Sequence, residues 1–173
     1  KAKKSLKNFY SKKDNLSLGV CNGCQLFMEL GLITNDSKNK TFMDHNDSGK
    51  FECIFTSVKI GENNSIIFKN FKDTKLGIWS AHGEGKFILP GKESDYNIIG
   101  KYSKNLFPSN PNGSDFNTAI LANKDGRHIA MMPHLERSLF PWNWGFYPEN
   151  KSNHSISPWI QAFRNAYEWL ILS

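Results

Sequence analysis

Residues 17–31 read SLGVCNGCQLFMELG. The stretch begins in an apolar run, LSLGV at 16–20, of the length a buried strand takes. It ends in CQLFMELG at 24–31, which predicts a helix with Gly31 as its C-terminal stop. At the junction stand Cys21 and Cys24, a C-x-x-C pair. Such a pair is half of a zinc site, a redox couple, or one reactive thiol with a second cysteine nearby. Structural zinc takes about four Cys or His ligands. Cys53 lies alone and there is no second C-x-x-C and no H-x-x-x-H, so zinc is poorly supported. A thioredoxin-like couple also places C-x-x-C before a helix. Here, however, Gly19 and Gly23 flank Cys21. Glycines around a nucleophile between strand and helix mark a tight turn that lifts one side chain out of the sheet. The thiol then sits at a helix N-terminus, where the dipole and free N–H groups favour thiolate. On this reading Cys21 reacts, and Cys24, inside the first helical turn, packs as a small apolar group.

A thiolate nucleophile needs a base, and the base an orienting group. The stretch MMPHLERS at 131–138 offers both, with His134 at the end of an apolar strand. In extended chain Glu136, two residues on, points the same way as His134 and can fix its tautomer. Both halves lie at strand ends, where open α/β sheets place their ligands. A surface His and Glu just past a strand is the bland alternative.

Outward from these two stretches, the chain reads as one α/β domain. Residues 1–10 carry Leu6, Phe9 and Tyr10 at helical spacing among lysines. FECIFTSVKIG, SIIFKNF, LGIWSAHG, GKFILPG and YNIIGKYS read as short strands. TAILANKDGRHIAMMPH reads as a hairpin around Asn-Lys-Asp-Gly. LFPSNPNGSD is a turn-rich loop. In FPWNWGFYPENKSNHS, Trp142, Trp144, Phe146 and Tyr147 suit either a docking surface or a cover for the sheet end. Ser157 and Pro158 open a last helix whose apolar face is Ile160, Phe163, Tyr167 and Leu170. No internal repeat or linker divides the chain, so residues 1–173 are expected to be a single domain.

Totals narrow the classes. The 173 residues are 39% hydrophobic and 13% aromatic, enough for one real core. No apolar run approaches the roughly 20 residues of a membrane span, and the lysine-rich start lacks the apolar stretch of a signal peptide. Three cysteines argue against a disulfide framework and for a reducing, cytoplasmic setting. The net charge of +6 comes from six lysines within the first 13 residues; the rest is balanced, with 16 basic and 16 acidic side chains. A nucleic-acid module spreads its charge over a binding face, so neither nucleic acid nor membrane is expected as a partner.

With these residues in view, GVCNGCQ resembles the nucleophile motif G-[IV]-C-x-G-x-Q of the class I, triad-type glutamine amidotransferases, and PHLER resembles their P-H-x-E. More narrowly, LGVCNGCQ, AHGEGKF, PSNPNGS, DGRHIAMMPHLER and SPWIQAFRNA are together similar to the C-terminal glutaminase domain of the phosphoribosylformylglycinamidine synthase family. The resemblance covers almost the whole chain. It implies a flavodoxin-like α/β fold, with a mostly parallel sheet, helices on both faces and extra β-hairpins. It implies Cys21 as nucleophile on L-glutamine, His134 as acid and base, and Glu136 as its orienting partner. The backbone N–H of Asn22 would be one oxyanion donor, Gln25 would line the substrate site, and His82 would be a neighbour of the substrate rather than a catalyst. No metal or cofactor belongs to the chain itself; ATP and magnesium would serve a separate synthetase domain of the same polypeptide, which takes the ammonia and makes formylglycinamidine ribonucleotide for purine biosynthesis. Family members begin well before the nucleophile, so the chain is expected to lack their first strands and one oxyanion donor. Leu135 replaces their proline between His and Glu and leaves the spacing intact, while Ile54 replaces an arginine. Two other functions fit the same residues: a free-standing cysteine hydrolase of γ-glutamyl substrates, and an inactive amidotransferase-like packing domain.

Overall fold

The structure is a computed structural model that describes residues 2–34, 40–151 and 153–172. The lysine-rich start is a helix, α1 (Ala2–Ser11); Lys1 lies outside the described residues. The opening stretch then folds as its pattern dictates. The apolar run is β1 (Ser17–Val20), and the cysteine turn leads into α2 (Asn22–Glu29). Gly31 follows at φ 64°, where its N–H and that of Leu32 return to the carbonyls of Met28 and Phe27 and close the helix.

The strands that follow are β2 (Phe42–Asp44), β3 (Glu52–Ile60), β4 (Lys75–His82), β5 (Lys86–Ile88), β6 (Ile98–Tyr102), β7 (Thr118–Ala122) and β8 (His128–Met131), and the last helix is α3 (Ile160–Leu172). One six-stranded sheet has the order β1-β8-β7-β6-β3-β4; β2 and β5 form a separate antiparallel pair. Among the described residues only β1 and β8 run parallel, with Ser17 opposite His128 and Val20 opposite Met131. The other four pairings are antiparallel. The α/β class therefore stands, while the expected mostly parallel character is confined, among the described residues, to β1–β8. The physical reason is connection length: the short turn Asn123–Gly126 after β7 can only return the chain antiparallel.

Each face of the sheet buries a separate core, because alternate residues point to opposite sides. Ile120, Ala122, Ile129 and Met131 join Val58, Ile60, Ile78, Phe68 and Trp159 on one side. Leu121, Ala130 and Met132 join Cys24, Phe27, Met28, Phe87 and Leu89 on the other. Helices thus cover both faces, α2 on one and α3 on the other.

Two expected elements differ. SIIFKNF forms turns in place of a strand, with Ile67, Phe68 and Phe71 all buried. Ser65 Oγ accepts the Phe68 N–H, and the buried Asn165 of α3 donates to the Ile67 carbonyl, so the backbone is satisfied without a sheet partner. The apolar face of α3 is also rotated. Trp159, Ala162 and Asn165 are buried, whereas Phe163, Tyr167 and Leu170 are exposed. Trp159 fixes the rotation: its indole N–H donates to the Gly77 carbonyl at 2.8 Å and its ring stacks on Phe71.

Candidate active site

Cys21 follows the last residue of β1 and holds a strained backbone, φ 51° and ψ −105°. Its N–H still donates to the Met131 carbonyl at 2.9 Å, so the strand pairing runs into the turn. Its carbonyl accepts from Gln25 N–H at 3.0 Å, so the helix begins at once. A non-glycine residue at positive φ costs of order 1–3 kcal/mol and is kept where the surroundings enforce it. Gly19 is part of that enforcement. A Cβ there would lie 2.7 Å from the Gly23 carbonyl oxygen and from the Phe27 ring, so only glycine lets α2 fold back onto β1. Gly23 differs, since a Cβ there would meet nothing within 4 Å. The first-turn N–H groups of α2, which opens at Asn22 directly after Cys21, have no partner within the helix.

His134 arrives from the end of β8, beside the end of β1. Its N–H donates to the Trp79 carbonyl at 2.7 Å, a single bridge that ties it to β4. Its Nδ1 donates to Glu136 Oε1 at 2.5 Å. The chain between them is not extended: Leu135 has φ −67° and ψ −31°, and Glu136 opens a short 3-10 turn. The carboxylate reaches the ring by a turn, and the fully buried Leu135 side chain pins that turn to the core. Ser138 closes the loop, with its Oγ donating to the His134 carbonyl and accepting from Trp79 N–H.

With Nδ1 occupied, Nε2 of His134 is left buried and without a hydrogen bond. The ring is pushed up to about 9, first by the Cys21 side chain and then by Glu136, against the opposing effect of burial. Burial pushes the Glu136 carboxyl up, but the His134 hydrogen bond and charge hold it below its ordinary value. The Cys21 thiol lies 3.8 Å from the Ala81 carbonyl oxygen. Cys24 is wholly buried, and burial, then the neighbouring Cys21, drives its thiol well above the usual range. All three cysteines are free. Among the described residues no three His, Cys, Asp or Glu side chains gather as a metal site.

The remaining expected residues lie around this centre. Gln25 donates from Nε2 to the Glu84 carbonyl at 2.8 Å and, with Glu29, Asp44, His45 and Glu84, lines a cleft of about 320 Å³. His82 is 2% exposed and both ring nitrogens are engaged inside the protein. Nε2 meets Ser80 Oγ at 2.7 Å and Nδ1 meets Asn46 Oδ1 at 3.2 Å. The amide oxygen can only accept, so Nδ1 carries the proton and Nε2 accepts from the serine. Asn46 also donates to the His82 carbonyl and accepts from Gly85 N–H. His82 therefore anchors the 82–85 loop. Its pKa is lowered to about 4, first by burial and then by the charge of His134. Sequence reasoning missed Trp79, Asn46, Ser80 and Ser138, which act through backbone or hydroxyl contacts and leave no spacing signal. Of the aromatic loop, Trp144 packs on Phe55 and donates to the Ser138 carbonyl, whereas Trp142 and Phe146 stand exposed.

Comparison with known proteins gives the family and the fold. The chain is 36% identical to a probable phosphoribosylformylglycinamidine synthase of Caenorhabditis elegans, over 97% of this chain and 15% of that protein. It is 38% identical to a probable chloroplastic or mitochondrial phosphoribosylformylglycinamidine synthase of Arabidopsis thaliana, over 94% of this chain and 13% of that protein. The human phosphoribosylformylglycinamidine synthase is 33% identical over 96% of this chain and 14% of its own length. The chain thus spans about one-seventh of the curated relatives it matches. Its fold is similar to that in the structure of PurLQS from Thermotoga maritima, with a TM-score of 0.63 and 24% identity over 98% of this chain and 64% of that one. Residues 1–170 match the CobB/CobQ-like glutamine amidotransferase domain, and the chain belongs to that family.

Proposed function

We propose that this chain is a single glutaminase domain that supplies ammonia to a synthetase region of a longer phosphoribosylformylglycinamidine synthase. The observation that carries the chemistry is the His134 ring. Glu136 holds Nδ1 at 2.5 Å, Nε2 has no nitrogen or oxygen partner, and the Cys21 side chain does most to raise the ring's pKa. Cys21 thiolate attacks the side-chain amide carbon of L-glutamine. The N–H of Asn22 receives the charge that develops on oxygen. His134 gives its proton to the departing nitrogen, ammonia leaves, and a γ-glutamyl thioester remains on Cys21. His134 then takes a proton from water, which attacks the thioester and releases glutamate. Gln25 fixes the wall of the pocket through Glu84, and His82 acts one layer deeper as the anchor of that wall. ATP and magnesium belong to the synthetase reaction, which converts formylglycinamide ribonucleotide to formylglycinamidine ribonucleotide outside these residues. No helix among the described residues is long and apolar enough to cross a membrane; with three free cysteines, a reducing cytoplasmic setting fits.

The test compares Cys21→Ala with Cys24→Ala in the longer enzyme. Cys21→Ala should lower glutamine-dependent synthesis by several orders of magnitude, on the order of 10⁴ or more, and leave ammonia-dependent synthesis intact. If Cys24→Ala does this and Cys21→Ala does not, the reading fails. Loss of both activities in Cys21→Ala would equally count against it.

A further inference from the structure

A second cleft, of about 610 Å³, opens between the outer face of β3–β4 and the loops at 103–109 and 144–148. We propose that it binds a planar aromatic anion, a ring bearing a phosphate or carboxylate group, as a site separate from Cys21. Such volumes are ordinary for small-ligand pockets.

One wall is aromatic. Phe55 and Trp144 lie with ring centroids 5.7 Å apart at 55°. Their packing depends on Gly77, where a Cβ would fall 2.4 Å from Phe55 and 2.8 Å from Trp144. Phe146 and Leu106 form the lips, 71% and 62% exposed. Ring faces of this kind hold a flat ligand by stacking.

The other wall is cationic. Lys75 and Lys104 line the cleft. Lys59 stands directly opposite Lys75 in the β3–β4 register and opposite Lys101 in the β3–β6 register. Lys101 is neutralised by Glu93. Lys59, Lys75 and Lys104 have no ion-pair partner among the described residues. Like charges directly opposed on one sheet face destabilise it, so an anion between them would be welcomed. On the floor, Ser57 Oγ and Ser103 Oγ lie 2.8 Å apart, and Ser103 also donates to the Ser57 carbonyl. That bonding leaves the Ser57 hydroxyl oxygen with lone pairs for a ligand donor. A purely apolar ligand would leave the lysines unneutralised, and a bare phosphate would leave the rings uncovered. A ring and an anion in one molecule satisfy both walls.

The test is isothermal titration of the 173-residue chain, free of any ATP-using synthetase region, at low salt with adenosine 5′-monophosphate and with 2-naphthoate, against adenosine and inorganic phosphate as controls. One aromatic anion or both should bind with one-to-one stoichiometry, at least about tenfold tighter than either control, and weaken as salt rises. Binding of the nucleotide alone identifies a nucleotide-like ligand, and of naphthoate alone an aromatic acid; either supports the site. Lys75→Ala with Lys104→Ala should weaken binding about tenfold or more while thermal unfolding stays cooperative, since both side chains are at the surface. Phe146→Ala should weaken it severalfold, and Cys21→Ala should leave it unchanged. The proposal is overturned if neither anion binds, if phosphate binds as well as they do, or if the lysine pair is dispensable.

Discussion

Two buried imidazoles within one site are driven in opposite directions. His134 is pushed up to about 9 by Cys21 and Glu136, and His82 down to about 4 by burial and His134. For His134 the charged form is the stabilised one. Its contribution is complete below the ordinary value of 6.5 and is lost as pH rises through about 9. A histidine-resolved NMR titration should place the His134 midpoint near 9, and Cys21→Ala or Glu136→Gln should each move it towards 6.5. A midpoint unmoved by both substitutions would break the link between the three side chains. For His82 the neutral form is the stabilised one, so acid works against the fold from pH 6.5 down to about 4, as the unfolded chain takes up a proton that the folded ring refuses. His82→Gln should flatten that part of the stability–pH curve; an unchanged slope would show that another group carries it. Gly85→Ala would place a Cβ 2.3 Å from His82 Nδ1. It should cost about 1–3 kcal/mol in chemical denaturation, as overpacking does. The His134–Glu136 contact and the strained turn at Cys21 were legible in the sequence because each belongs to a short motif. The fit of Gly85 against His82 was not, because it depends on two segments meeting.

At the scale of elements, strands and helix ends followed their local signals well. β1, β3, β4, β6 and the β7–β8 hairpin lie where β-branched runs and the Asn-Lys-Asp-Gly turn put them. Apolar runs with side-chain-capped turns did not follow, as SIIFKNF shows, since periodicity cannot tell a buried turn from a short strand. The α3 face was misjudged for a different reason. Phe163, Tyr167 and Leu170 make the larger apolar stripe, but the buried Trp159 donates its indole N–H to the Gly77 carbonyl and rotates the helix. Trp159→Ala should therefore cost about 3–5 kcal/mol. Phe163→Ala, at an exposed position, should stay within about 0.5 kcal/mol. Urea denaturation of the two variants separates the observed face from the one that spacing alone suggests; equal losses would favour the latter.

Across the molecule, order is expected to fall away from the paired centre. All five residues of β7 are buried, whereas α1 has no buried residue. Native-state hydrogen exchange should find β7 and β8 amides the slowest and α1 amides the fastest; comparable protection in α1 would reveal contacts that its burial does not account for. The parallel pairing of β1 with β8 also sets a schedule. Cys21 and His134 lie 113 positions apart, and that pairing brings them together. At roughly 5–20 residues per second, a ribosome makes the Cys21 thiol about 6–23 s before the His134 imidazole. A nascent chain in that interval carries Cys21 with no His134 beside it, so any reactivity that depends on that imidazole waits for the strand that delivers it.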